Sequence, residues 1–394
     1  MQFHAIHENP FVFPNDAHPA WSIMIVLYPY ITGMVAGAFI VSTLYHVFHR
    51  NELRPVARLA VVTSLCFCAC ATMPLLLHLH QPLRALNVVA TPSPTSAMAG
   101  FGFIYSFYML LLLIDVWLLF RPSIVERARS RTGLAGLAYR ALALGVVEVT
   151  PRAAAIDHRL VGVLSVVGIP AACVLHGYVG FLFGAIKANP WWSSSLMPVI
   201  FLSSAIVSGI AVLVLLYLFL CRWSRIPPDD ACMRSLAQLL WRFLVLAVAF
   251  ESLDLLHVAY EREEEWHLIR ELLATKLQFS FFTLQVLIGS VVPLLLLPIP
   301  AFTTWFDAAF RRTCMLVASV LVLVQVLAMR WNVVVGGQSF SKSFRGFVEY
   351  PVTWWGREGL LAAAVVLAMP LVLFFGISRV LPVWPPEHQG GEAS

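Results

Sequence analysis

Apolar runs of about twenty residues recur along this chain, and they are continuous rather than alternating. That length of α-helix crosses about 30 Å of hydrocarbon. Lipid offers no water to bond backbone N–H and C=O groups, so only helices and closed barrels can cross it. Barrel strands would alternate apolar with polar side chains, and these runs do not. An all-α polytopic membrane protein is predicted. About nine runs qualify, near 20–48, 56–78, 98–120, 159–184, 195–221, 236–260, 275–298, 311–330 and 357–380. Composition agrees, since 12% of residues are charged and 60% hydrophobic, against about 25% charged in soluble domains.

Residues 134–149 are too short and too arginine-flanked to cross, and are read as an interfacial helix. The first twenty residues lack a basic start and an early apolar core, so no secretory signal is expected and the first span directs insertion. Alternate loops differ in basic residues. One set holds Arg50, Arg54 and Arg58, then a series from Arg121 to Arg159, then Arg222, Arg225 and Arg234, then Arg311, Arg312 and Arg379. The other set is poorer and includes the net-acidic "EREEEWHLIRE", with Lys342, Arg345 and Arg357 as its exception. By the positive-inside rule the N-terminus lies outside and the C-terminus in the cytoplasm. The formal charge of +5 is then mainly a topology signal, and no nucleic-acid partner is expected.

Ionisable groups at membrane depth are costly and mark functional sites by default. On this topology His176 and Tyr178 fall near the outer end of the fourth helix. Glu251, Asp254 and His257, in "AFESLDLLHVAY", fall in the outer half of the sixth. Spaced three apart, they share a broad helical face. Two readings stand side by side: the cluster sees interfacial water, or it forms a proton-accepting pocket. A quinol losing two electrons must also lose two protons, so His and carboxylate acceptors beside an apolar slot fit its chemistry. Arg330 either anchors to headgroups or neutralises the acidic cluster. Asp115, toward the cytoplasmic side of the third helix, is either a buried protonated or paired residue or a step in a proton path. Trp191 and Trp192 read as interfacial belt aromatics, and Gly33 with Gly37 as a close helix-packing surface. The seven cysteines, including "CFCAC" at Cys66, Cys68 and Cys70, lack metal-ligand spacing, so no metal site, haem or iron–sulfur cluster is expected in this chain.

Several segments together resemble the polysulfide reductase membrane-subunit (NrfD-like) family. "WSIMIVLYPYITGMVAGAF" is similar to its opening helix, and "TPSPTSAMAGFGFIYSFYMLLL" to the start of its third, with a tryptophan missing. "HGYVGFLFGAIKANPWWSSSLMPVIFLSSAIVSGIAV" resembles its Tyr-x-Gly, Pro-Trp corner and following helix. "RWNVVVGGQ" and "EYPVTWWGREGLL" resemble the longer branch, found in sulfite-reductase-associated and hydrogenase-associated subunits. The resemblance implies a single membrane domain. It comprises an outer segment 1–19, a four-helix bundle over 20–184, a second over 195–330, an extra helix over 357–380 and a cytoplasmic tail 381–394. It further implies a quinone- or quinol-reactive subunit of a respiratory oxidoreductase in the bacterial cytoplasmic membrane, with ubiquinone or menaquinone as substrate. Electrons would pass to or from a ferredoxin-like iron–sulfur subunit on the outer face, with a cytochrome c or molybdenum subunit among further partners. Tyr178 falls on the family's quinone-site tyrosine, and His176, Asp254 and His257 on its outer polar positions. His18 and Trp21 are a further candidate wall.

Two other classes compete with this reading. A dihaem cytochrome b needs paired axial histidines at matching depth, which His46, His78, His176 and His257 do not supply. A proton, ion or solute transporter without redox chemistry would use the acidic cluster, Asp115 and helix breaks at Pro170, Pro198 and Pro293.

Overall fold

The computed structural model describes residues 19–93, 95–146, 148–261, 266–341 and 346–383. Among them the regular structure is helical, apart from one isolated bridge between Phe340 and Phe347. In chain order α1 is Ile23–His46, α2 Arg54–Cys70, α3 Met73–His78, α4 Ala97–Ser130, α5 Gly133–Leu142 and α6 Pro151–Gly184. Then follow α7 Met197–Trp223, α8 Asp230–Glu261, α9 Trp266–Thr275, α10 Gln278–Phe302, α11 Ala308–Gly336 and α12 Leu360–Val380. Short polar side chains start several of them by accepting an otherwise unpaired backbone N–H. Ser22 accepts from Met24, Ser96 from Ala99, Thr150 from Ala153 and Asp307 from Ala309.

Eight helical stretches among the described residues are long and apolar enough to cross a membrane. The predicted sixth span, α8, is not one of them; it carries Arg234, Arg242, Glu251 and Asp254 along its length. Its two ends are tied to opposite ends of the molecule. At its start Asp230 accepts from Arg312 at the beginning of α11 (3.1 Å), and near its other end Asp254 accepts from Ser194, between α6 and α7. Its 32 residues measure about 48 Å, more than the hydrocarbon needs. The predicted interfacial helix is α5, which lies against α4, where the Trp117 indole donates to Leu142 O (2.9 Å).

Alternating helix directions give the molecule two ends. At the tryptophan end Trp21 stacks on Trp192 (5.0 Å, 14°), and the Trp21 N–H donates to Gln338 Oε1 (2.8 Å). The Tyr350 hydroxyl there accepts from the Ile23 N–H (3.0 Å), and burial pushes this phenol's pKa up. At the arginine end Arg121 bonds Asp157 (2.8 Å), Arg311 and Arg312 pair with Asp230, and Arg127 donates to Val380 O.

Packing sorts the long helices into two groups. α1, α2, α4 and α6 form one, α7, α8, α10 and α11 the other, and α12 returns to lie on α2. The groups meet along α1 and α7, where Gly37 faces Gly209. A Cβ on Gly37 would sit 2.1 Å from Ile206 O, so only glycine permits this approach. The small-residue surface predicted at Gly37 is thus the seam between the groups.

Candidate functional site

α10 begins as a π-helix over Gln278–Val291, and α11 ends as one over Asn332–Gly336. With i→i+5 bonding, residues five apart stack on one face, as residues four apart do in an α-helix. Ser280 and Gln285 therefore point the same way. Both reach one side chain: Ser280 donates to Asn332 Oδ1 (2.6 Å), and Asn332 Nδ2 donates to Gln285 Oε1 (2.7 Å). The free Gln285 amide N–H donates onward to Glu251 (2.9 Å), which also accepts from Gln325 of α11 (3.0 Å). A serine, an asparagine and two glutamines thus orient one carboxylate from helices that would otherwise be purely apolar neighbours. Buried polar groups of this kind are stable only when fully bonded, and here the network closes.

Glu251 and Asp254 face a cavity of about 430 Å³, within the range of about 300–1,000 Å³ typical of ligand sites. Its remaining walls are apolar, with Trp191, Phe281, Phe282, Met197 and Met329 prominent. The cavity exists because α8 and the π-helical half of α10 splay apart. Their contact is concentrated at the arginine end, where Trp241 donates to Leu294 O (3.2 Å) and Gln238 to Ala301 O (3.0 Å). Above that point Leu256, Phe282, Val286 and Val291 line the gap and are exposed, so the chamber opens sideways at membrane depth.

The structure brings two of the predicted residues together here and disperses the others. His257 does not line the cavity; it is exposed and lies 3.4 Å from Glu261. Three-residue steps lag an α-helical turn, so six residues carry His257 about 120° round from Glu251. His176 is buried between α6 and α1, with Nδ1 2.7 Å from Ala172 O and Nε2 2.5 Å from Thr32 O. An imidazolium donates to both carbonyls and a neutral ring to one, so either way the ring is turned to its own helices and away from the cavity. Tyr178 donates to Ala97 O (2.9 Å) at the start of α4, over Gly100. Trp21 sits in the aromatic stack of the tryptophan end and not in the cavity. His18 lies outside the described residues.

Arg330 is buried behind Met329 and turned toward α7. Its guanidinium lies 3.8 Å from the centre of the Phe201 ring and donates to Ser204 Oγ (2.8 Å) and Phe201 O (3.2 Å). It makes no ion-pair contact among the described residues, and its Nε is buried there without a partner. Asp115 belongs to the other helix group. It is buried, and its Oδ1 has no partner among the described residues, a condition shared in that group by Tyr108 Oη, Ser42 Oγ and His46 Nε2.

Trp191 and Trp192 are tied into the fold by their ring nitrogens. Their indoles donate to Asn332 O (3.0 Å) and Val333 O (2.6 Å), clipping the α6–α7 corner to the π-turn of α11. A buried tryptophan usually finds a partner for its one N–H, as both do here. Sequence reasoning passes over Gln285, Gln325 and Asn332. The signal is present: amides inside "FSFFTLQVLIGS" and "LVLVQVLAMRWN" carry a desolvation cost of the same kind as a charge. Among the described residues no group of His, Cys, Asp and Glu is placed to hold a metal ion.

The fold and the chamber define a multi-pass helical membrane protein with an acid-bearing pocket open toward lipid. The chain belongs to the polysulphide reductase NrfD family, whose model matches residues 13–342. It is 28% identical to a selenate reductase subunit of Mesobacillus selenatarsenatis, over 89% of this chain and 84% of that one. It is 23% identical to the Hdr-like menaquinol oxidoreductase integral membrane subunit of Archaeoglobus fulgidus, over 82% and 72%. Protein NrfD of Escherichia coli is 25% identical over 81% and 95%. As an NrfD-type protein, the chain is a membrane subunit of an oxidoreductase complex.

Proposed function

We propose that the chamber between α8 and α10 binds the head of a membrane quinone and exchanges its protons through Glu251 and Asp254. The observation that carries this reading is the combination of a lateral opening with two carboxylates at the same depth. A quinone's isoprenoid tail stays in hydrocarbon, so its head needs a doorway in the side of the protein rather than at its ends. The apolar walls accept the ring, and the carboxylates meet its oxygens. The Archaeoglobus relative's name, a menaquinol oxidoreductase membrane subunit, points the same way.

In the quinol-oxidising direction, each ring hydroxyl gives its proton to a carboxylate and the ring gives up two electrons, leaving quinone. The amide donors around Glu251 hold its oxygens toward the cavity, and Ser194 does so for Asp254. The electrons leave to a ferredoxin-like iron–sulfur subunit docked on the tryptophan end, with cytochrome c or molybdenum subunits further along the complex. Quinone reduction is the same sequence reversed. The arginine end faces the cytoplasm of a bacterium, by the positive-inside rule, so the quinone protons are exchanged near the outer face. Asp115, whose Oδ1 is buried without a partner among the described residues, is a step in a separate proton path toward the cytoplasm.

Glu251→Gln and Asp254→Asn test the site by quinol-coupled electron transfer in the assembled complex. Losing a proton acceptor slows such a reaction by about 10²-fold or more. Wild-type rates in both variants, with assembly intact, overturn the assignment.

A further inference from the structure

A second cavity, of about 560 Å³, lies at the arginine end. Its walls are the last turn of α7, the loop Ile226–Pro228 and the first turns of α11. Three arginines line it: Arg222, Arg225 and Arg312. Arg312 is engaged, donating to Asp230 (3.1 Å) and Pro228 O (3.3 Å), while its Nε is buried with no partner among the described residues. Arg222 and Arg225 have no carboxylate within ion-pair distance among the described residues. Asp230 answers only Arg311 and Arg312.

The backbone contributes to this cluster. α7 ends by turning through Arg225 at φ 56°, with the Ile226 N–H returning to Cys221 O (3.0 Å). That left-handed position favours glycine or asparagine. Arg225, held there, lines the same cavity as Arg222.

Depth identifies the ligand. Trp223 at the end of α7 and Trp305 shortly before α11 are both highly exposed, as tryptophans are where hydrocarbon meets headgroups. The arginines therefore lie at headgroup level. Further in, Leu218 and Leu316 continue the cavity as an apolar groove, with Leu316 exposed. We propose that this cavity binds an anionic phospholipid, its phosphate held by Arg222, Arg225 and Arg312 and an acyl chain laid along Leu218 and Leu316. Basic pockets at helix ends recognise acidic headgroups by this combination of charge and groove.

The test uses the full chain within its purified complex, stripped of lipid in detergent. It is titrated with phosphatidylglycerol, with phosphatidylcholine or with inorganic phosphate. Retained lipid is read by native mass spectrometry and stability by the thermal midpoint. Phosphatidylglycerol is expected to be retained and to raise the midpoint, and the other two are not. In Arg222→Gln combined with Arg225→Asn, its affinity falls roughly tenfold or more. Arg152→Gln with Arg159→Gln, at the same end but outside the cavity, leaves it unchanged. Three results would overturn the proposal: equal binding of phosphatidylcholine, equal stabilisation by inorganic phosphate, or undiminished phosphatidylglycerol binding in the cavity variant. If that variant does not assemble, the comparison of the three additives on the wild-type complex still decides.

Discussion

His176, buried, and Glu251, half-buried, are both polar groups on the tryptophan side of the membrane, and they are treated in opposite ways. His176, in the first helix group, has both ring nitrogens against backbone carbonyls and does not line the chamber. Glu251, in the second, is held by amide donors on one side and faces a 430 Å³ chamber on the other. The difference teaches that cost of burial alone does not mark chemistry. A group turned to the backbone of its own fold is a tie; a group oriented by its fold toward empty space is available. The first group also holds buried polar atoms without partners among the described residues, Asp115 Oδ1 among them, and these do not line the chamber.

The largest effect comes from breaking the seam between the groups. Gly37→Leu forces side-chain atoms into the Ile206 carbonyl and should abolish accumulation of folded protein, measured by detergent-resistant assembly. Normal accumulation would show that the two groups are not joined tightly along α1 and α7. Glu251→Gln comes next, with assembly intact and quinol-linked turnover down about 100-fold. His176→Ala should do the reverse. It frees two buried carbonyls and opens a void, costing about 2–4 kcal/mol of stability, while turnover per assembled complex stays near wild type. A thermal midpoint that does not move, alongside a collapsed rate, would put His176 back into the chemistry. Asp115→Asn should leave electron transfer nearly intact and reduce proton movement across the membrane in vesicles, which separates its path from the chamber. The smallest shift belongs to Trp192→Phe. It keeps the stacking on Trp21 but loses the bond to Val333 O, worth about 1 kcal/mol, and is read as a lowered thermal midpoint.

Much of the architecture was legible from sequence because the bilayer is an exacting solvent. It demands runs of fixed length and satisfied backbones, so the spans stand out wherever apolar residues accumulate. Ends were less visible: α4 and α6 each run to 34 residues, longer than their apolar parts, because amphipathic turns continue past the hydrocarbon. Of the candidate site, Glu251 and Asp254 could be found because a carboxylate in an apolar helix is conspicuous. His257 was drawn in by spacing that almost, but not quite, keeps one face. Gln285, Gln325 and Asn332 carry no formal charge and were overlooked for that reason.

The amino-acid order by itself determined the solvent, the helical class, the approximate spans and the asymmetry of charge between the two ends. Each follows from local composition, and each would survive shuffling the helices in space. Which polar groups meet was decided only by tertiary structure. Two π-helical stretches bring Ser280 and Asn332 onto Gln285, which holds Glu251, and the splay of α8 from α10 leaves room in front of it. Helix winding and the gap between helices depend on neighbours far apart in the chain, and no single run of residues encodes them.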